Sequence, residues 1–475
     1  MDKELGLKIG IEIHQQLETH KLFCKCPSII KKKDEKPDFI IKRRLRASAG
    51  EMGKVDAAAV HELEKGKYFV YHGYKDCTCL VELDEEPPRE VNKEALQIAI
   101  QIAALLNAKI VDEVHFMRKI VIDGSNTSGF QRTALVATDG WVETSEGKIS
   151  IPTILLEEEA AQIVERTEKY DIYNLSRQGI PLVEIGTGPD IKSPEGAKEA
   201  AEKIGMILRS TNKVRRGLGT IRQDVNLSIK GGARTEIKGF QEVKSIPLVI
   251  ENEIKRQLQL TEKGEKVEAS VRNAKPDSST EYLRPMPGAE RMYPETDVAP
   301  VKPSLEKVEA VELIEQKADR IQKKYGLGKH LAELIARENL AEIFEEFAEK
   351  FRNIKPAFIA ETMLPTLKEL SREGIDVNKI TAKHLEGIFD LLSQEKIAKD
   401  SVIDILKEIP KGKPVEDIAK GFMQMPDIDL RKELKNIVEA NKDAPFNALM
   451  GIAMGKLKGK ASGKKINEIL RELVK

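Results

Sequence analysis

The chain opens on strict alternation. From Leu7 to Leu17 it reads LKIGIEIHQQL, with Ile9, Ile11 and Ile13 interleaved with Gly10, Glu12 and His14. A period of two predicts a strand with one buried face, so Glu12 and His14 share the opposite face. Further strand-like runs are Tyr68 to Val70, Lys119 to Asp123, Gly179 to Ile185, Thr220 to Ile229 and Arg234 to Lys238. Helical spacing separates them. Val91 to Leu106 follows Pro87-Pro88 and repeats Leu96, Ile100 and Ala103. Ser193 to Arg209 opens on an N-cap serine with Pro194 at the first helical position, and its core face is Ala197, Ala201, Ile204 and Leu208. A third helix runs from Pro247 to about Leu260. The pattern predicts an α+β fold with a mixed, largely antiparallel sheet.

Prolines 285, 287, 294, 300 and 303 then cluster, and the texture turns helical. Val308, Val311, Ile314, Ala318 and Ile321 keep a three-four spacing, and Gly326 is a C-terminal stop. A second break, IPKGKPVED, contains Pro410 and Pro414. Three domains are expected: an α+β domain at 1–299, an all-α helical domain at 300–408 and a small helical tail domain at 409–475. From Asn441 onward eight basic residues face three acidic ones. Lys456, Lys458 and Lys460 lie among glycines, with Lys464 and Lys465 close behind. A flexible basic loop suits contact with a phosphate backbone; an ordinary solvated face would read the same.

Composition narrows the class. The chain has 475 residues, 40% hydrophobic and 33% charged, with 78 basic and 78 acidic side chains. Balanced charge excludes a global field for nucleic acid, so any such contact is local. No apolar run reaches membrane-spanning length and MDKELGLK is no signal peptide, so a cytoplasmic location without a membrane is expected. The abundance of Lys and Glu suggests a heat-adapted source. The four cysteines form two C-x-C pairs, Cys24 with Cys26 and Cys77 with Cys79. In a reducing compartment such pairs point to a structural zinc site or to free buried thiols.

Several acids invite chemistry. Glu12 and His14 make a compact metal-holding pair or a polar solvent face. Glu157, Glu158 and Glu159 repel one another and call for a compensating cation, unless they are solvated residues at a helix start. Glu184 lies in the apolar run GIPLVEIG and needs a partner. Together these acids could build a hard magnesium site facing ATP phosphates. The loop DGSNTSGFQRT, with Ser125, Asn126 and Thr127, permits close approach of backbone amides to phosphate, and Arg118, Lys119 and Arg132 add positive charge; a surface turn is the alternative. Arg222, Asp224 and Asn226 alternate on one strand, and Glu236 and Lys238 on another, lining a cleft or a wet sheet face. No phosphate-binding G-x-x-x-x-G-K-[ST] loop is present, and no G-x-S-x-G elbow or unassigned cysteine offers a nucleophile. If the chain transfers nitrogen, it does not readily make its own ammonia from an amide.

The ordered motifs IGIEIHQQLETHKLFCKC, RKIVIDGSNTSGFQRT, LLEEEAA, SRQGIPLVEIGTGPD, IRQDVNLSIKGG, EIKGFQEVKSI, RPMPGAERMYPETDVAP and GIAMGKLKGKASGKKINEIL resemble the GatB/GatE family of tRNA-dependent amidotransferases. Their wording is most similar to the archaeal GatE branch. GatE usually carries an inserted domain resembling part of aspartyl-tRNA synthetase, where this sequence has only LTEKGEKVEASVRNAKPDSSTEYL. The resemblance implies a cradle-like catalytic domain, a helical domain and a basic YqeY-like tail that holds tRNA. It implies a ligase using ATP and Mg2+ that phosphorylates the side chain of Glu on tRNA(Gln) and then amidates it. By family position it assigns His14, Glu157 or Glu158, and Glu184 as metal and catalytic residues with Glu12 beside them, and Ser125, Asn126, Thr127, Arg132 and Arg222 to the nucleotide. Its implied partner in a hetero-oligomer is the asparaginase-like GatD. The alternatives are GatA and GatC for a GatB-like enzyme also acting on Asp-tRNA(Asn), or a non-catalytic tRNA-binding scaffold with structural zinc.

Overall fold

A computed structural model of the chain describes all residues except 1–4, 47–52, 54, 56, 241, 287–291, 306–307, 309–310, 442–443, 458–460, 462 and 475, and all described side chains except those of 57, 58, 61 and 464. The chain divides into two compact units, Met1–Leu313 and Ile314–Lys475. Among the described residues no helix is long and apolar enough to cross a membrane.

The first unit is built on strands β1 (Lys8–Gln16), β2 (Phe39–Arg43), β3 (Tyr68–Gly73), β4 (Lys109–Ile110), β5 (Phe116–Ile120), β6 (Phe130–Thr144), β7 (Gly147–Glu158), β8 (Gln162–Arg166), β9 (Tyr170–Asn174), β10 (Pro181–Gly186), β11 (Ile221–Ser228), β12 (Thr235–Lys238), β13 (Ser270–Ala274), β14 (Thr280–Pro285) and β15 (Met292–Pro294). Eleven of them form one sheet, in the order β14-β13-β12-β11-β1-β10-β7-β6-β5-β15 with β4 beside β6. Every pairing in it is antiparallel except β12 with β13. The mixed, largely antiparallel α+β expectation holds.

The opening strand lies near the middle of this sheet, between β10 and β11. Its alternation is realised: Ile9, Ile11 and Ile13 are buried. They join a core with the apolar faces of α2 (Lys93–Leu105), α3 (Pro194–Ser210) and α4 (Ile246–Glu262), which follow α1 (Ala57–Glu64). Asn92 caps α2, accepting from the amides of Glu94 and Ala95, and Ser193 caps α3 ahead of Pro194. Helices thus cover one sheet face and leave the other to Glu12 and His14. Gly10 lets the neighbouring turn come close, since a Cβ there would lie 3.2 Å from the Thr187 carbonyl oxygen.

A smaller sheet, β2-β3-β9-β8, positions the loop from Asp123 to Gly129. Tyr71 on β3 and Tyr173 on β9 donate their hydroxyls to the carbonyls of Gly124 (2.8 Å) and Asp123 (2.6 Å).

The second unit is helical: α5 (Ile314–Tyr325), α6 (Lys329–Arg337), α7 (Ala341–Lys350), α8 (Pro356–Glu361), α9 (Leu367–Arg372), α10 (Ala382–Ser393), α11 (Ser401–Glu408), α12 (Val415–Ala419), α13 (Asp427–Ala440), α14 (Phe446–Lys456) and α15 (Gly463–Leu473). The helix expected to include Val308 and Val311 begins at Ile314. Val308 and Leu313 pack against the core of the first unit instead, so the three-four spacing there spans two cores. Within the second unit one cluster runs from Ile321 to Ala419, taking in Ile409 and Val415, and a separate one from Leu430 to Leu470.

Candidate functional site

Cross-strand register sets the site. Thr133, Glu157, Leu182 and Gln16 oppose one another across β6, β7, β10 and β1; the next row holds Leu155, Glu184, His14 and Arg222, and a third Thr153, Gly186, Glu12 and Asp224. Directly opposed residues share a face, so Glu157, Glu184, His14 and Glu12 lie together on the face away from α2 and α3. His14 Nε2 is 3.3 Å from Glu12 Oε1 and 3.3 Å from Glu184 Oε2. Lys119, on β5, pairs closely with Glu157 Oε1 and stands 3.5 Å from Glu184 Oε2. Gln131 Nε2 donates to the other Glu157 oxygen at 3.1 Å.

Crowded carboxylates divide their charge unequally. Burial, then the charge of Glu184, pushes Glu12 up to about 7. The same two causes raise Glu157 against the pull of Lys119. Burial works to raise Glu184 too, but Lys119 and the hydrogen bond from His14 hold it well below the usual carboxylate range. Burial works to lower His14, but its hydrogen bond to Glu184 and the charges of Glu184 and Glu12 raise it overall. The negative charge is therefore concentrated on Glu184, at the centre of the group.

The residues fit a hard divalent cation. Glu12, His14 and Glu184 offer ligand atoms within 4.8 Å of one another, and carboxylate oxygens are the donors such ions take. Two buried polar atoms in the Thr133–Gln16 row, Thr133 Oγ1 and Gln16 Oε1, have no partner among the described residues and leave polar capacity for a ligand.

The glutamate run separates by strand alternation. Glu158 faces away from Glu157 and accepts from the Arg132 amide at 3.0 Å, with Arg132 Nη1 at 3.4 Å. Arg132 also bonds Glu295 through Nε at 2.7 Å, and Arg118 bonds Glu295 at 2.6 Å. Of the two acids expected as alternatives, Glu157 is the one brought to His14 and Glu184. Glu159 is held below its ordinary range despite burial, by Arg222 and Arg177. Arg222 Nη2 reaches it at 2.9 Å. Beside this group Lys238 bridges Asp224 and Glu236 at 2.6 Å each.

In the glycine-bearing loop, Ser125 Oγ donates to Asp123 at 2.6 Å and Thr127 Oγ1 to the Glu82 carbonyl at 2.6 Å. Asn126 is 1% exposed, and neither polar atom of its side-chain amide has a partner among the described residues. A buried, doubly unpaired amide is costly and marks a place for a ligand or ordered water.

A second cluster gathers Cys24, Cys26, Cys79 and Glu82, with ligand atoms within 4.8 Å. Cys24 Sγ donates to Glu82 Oε1 at 2.8 Å, and the Cys79 amide to Glu82 Oε2 at 2.7 Å. Cys77, expected as the fourth thiolate, lies outside this group. It is fully buried in a turn, its amide bonded to the Tyr74 carbonyl at 3.1 Å, and the next turn brings Glu82 into the fourth place. Hydrogen bonds from Cys24 and Cys26 lower Cys79, whereas Cys24 is raised. Three sulfurs and a carboxylate suit zinc.

In the tail, Lys456 is exposed on α14 and Lys465 pairs with Asp427 at 2.5 Å. Lys464 falls in α15, and Lys458 and Lys460 lie outside the described residues.

Two residues join these clusters that sequence pattern alone does not place there. Lys119 heads the expected run Lys119 to Asp123 and reads as charge beside the following loop; the strand instead runs from Phe116 to Ile120, which carries Lys119 within β5 and against Glu157. Glu82 stands three residues after Cys79, a ligand spacing that attention to cysteines alone misses.

A family model described as the GatB/GatE catalytic domain matches residues 7–309, and one described as a GatB domain matches residues 342–474. The chain is 39% identical to the E subunit of glutamyl-tRNA(Gln) amidotransferase from Methanocaldococcus jannaschii, over 100% of this chain and 99% of that protein. The values are 37% for the corresponding protein of Thermococcus gammatolerans (99% and 98%) and 38% for that of Archaeoglobus fulgidus (100% and 98%). The first alignment runs over 625 positions against 475 residues here, so that relative has positions without a counterpart in this chain. A catalytic-domain match spanning the strands that carry His14 and Glu184, together with full-length relatives, places this chain in the GatB/GatE family, as a GatE-like member.

Proposed function

We propose that the chain is the transamidating component that converts Glu-tRNA(Gln) to Gln-tRNA(Gln), phosphorylating the glutamyl side chain with ATP and then replacing the phosphate with ammonia. Names borne by its relatives support the substrate, and the grouping of Glu12, His14, Glu157 and Glu184 on one sheet face supports the chemistry. A carboxylate oxygen is a poor leaving group and an acyl phosphate a good one, which is why ATP is needed. Glu12, His14, Glu157 and Glu184 would hold Mg2+, which when bound neutralises charge on the transferring phosphoryl group. His14 is fixed between two carboxylates, and Arg222 and the Ser125–Thr127 loop, with the unpaired Asn126 amide, border the nucleotide. Cys24, Cys26, Cys79 and Glu82 hold a structural zinc that ties two turns together.

In this reading residues 1–299 perform the chemistry, 300–408 form a helical connector, and 409–475 hold the tRNA body through Lys456 and its neighbours. Ammonia comes from an asparaginase-like partner of the GatD type in a cytoplasmic hetero-oligomer. A GatB-like arrangement with GatA and GatC is the second reading, favoured by the positions of the longer relatives that this chain lacks.

The test supplies the purified chain with ATP, Mg2+, ammonium and Glu-tRNA(Gln) and no partner. Formation of Gln-tRNA with release of ADP is expected. Bound tRNA with no product, in the presence of every candidate amidase, would favour the scaffold.

A further inference from the structure

Lys119 is the one member of the carboxylate cluster that a cation site does not call for. Its ammonium meets Glu157 Oε1 and also lies 3.5 Å from Glu184 Oε2, the oxygen that His14 Nε2 approaches at 3.3 Å. Glu157 Oε2 is already taken by Gln131 at 3.1 Å. Lys119 therefore sits on one oxygen of each of two carboxylates that a ligand would share. A divalent cation needs the same lone pairs, and an ammonium in contact with them competes with it. Lysine suits such a role: it is a compact point charge with three donors on a flexible four-carbon stem, able to leave without dragging the strand.

Resting on the proposed function, we infer that Lys119 is a placeholder: its ammonium holds Glu157 and Glu184 in the cation's stead, yields them when a divalent cation loads, and is thereby freed to meet an anionic phosphoryl oxygen. Three carboxylates crowded on one sheet face would otherwise repel one another whenever no cation is present. The placeholder keeps the donors in position, and its release links cation loading to nucleotide binding.

The full chain and its Lys119→Met and Lys119→Arg variants would be titrated with Mn2+ alone, following free Mn2+ by electron paramagnetic resonance. Binding of a non-hydrolysable ATP analogue would then be measured at saturating Mn2+. Lys119→Met should bind Mn2+ about tenfold more tightly than the natural chain, the competing charge being gone, and should bind the analogue more weakly. Lys119→Arg, whose fork grips carboxylates more firmly, should bind Mn2+ less tightly than the natural chain. Equal or weaker Mn2+ binding by Lys119→Met overturns the inference, as does equal or tighter binding by Lys119→Arg, which decides the matter should the methionine variant not fold. Absence of Mn2+ binding by the natural chain fails differently, since it removes the cation site itself.

Discussion

At the scale of single residues, Glu184 is the pivot, because it touches both His14 and Lys119. Glu184→Gln keeps the shape and removes the charge. Amidation should fall about a hundredfold or more, while the melting temperature stays close to that of the natural chain. Full activity in steady-state assays would exclude Glu184 from the chemistry. The thiol cluster makes a sharper distinction. Zinc content measured by mass spectrometry should remain one per chain in Cys77→Ser and disappear in Cys79→Ser and Glu82→Ala; loss in Cys77→Ser would return that residue to the ligand set. Glu12, His14 and Glu184 are readable in advance because alternation and an apolar setting are local signals. The contact of Lys119 with the acids and the choice of Glu157 over Glu158 are not. Each depends on which strand or turn lies alongside, information carried by residues far away in sequence.

At the scale of elements, Glu253 shows how a helix is pinned to a hairpin. This buried carboxylate on α4 bonds Arg256 at 2.7 and 2.8 Å and accepts from Thr280 of β14 at 2.7 Å, with Arg272 of β13 at 3.6 Å. Burial works to raise Glu253, yet Arg256, Thr280 and Gln257 outweigh it and leave the group below its ordinary 4.5. A carboxylate lowered by folding stabilises the fold above its ordinary value, and that contribution is lost as the pH falls through the lowered one. Glu253→Gln should therefore cost about 2 kcal/mol near neutral pH, a gap that narrows as the pH falls below 4.5 and through the lowered value. Denaturant melts at both pH values check this, and a gap independent of pH would show that packing, not charge, holds α4. Most elements follow from period and capping: β1, α2 and α3 come from alternation, an asparagine cap and a Ser-Pro start. The start of α5 does not, because apolar spacing cannot say which of two cores a valine will join.

At the scale of the whole molecule, the two units carry different chemistry. The acidic site belongs to the first, and the basic excess to the end of the second. The break at Pro414 is visible in sequence, but Val415, Ile418 and Ala419 pack into the cluster that precedes it. A truncation meant to remove the tail cleanly should thus fall after Met425 rather than Pro414. That shortened chain should stay folded, bind tRNA more weakly and show a flatter dependence of affinity on salt, as phosphate contacts are lost. Unchanged filter binding across a salt series would assign tRNA contact elsewhere.

The site draws its residues from β1, β5, β7, β10 and β11, so neighbours in space such as His14 and Arg222 are separated by more than two hundred places along the chain. Such a centre has no local precursor. Loop closure over those separations is slow, and β1 has to find β10 and β11 before His14 meets Glu184 and Arg222. A nascent or partly unfolded chain therefore holds at most the local pair of Glu12 and His14, and competence arrives together with the native sheet.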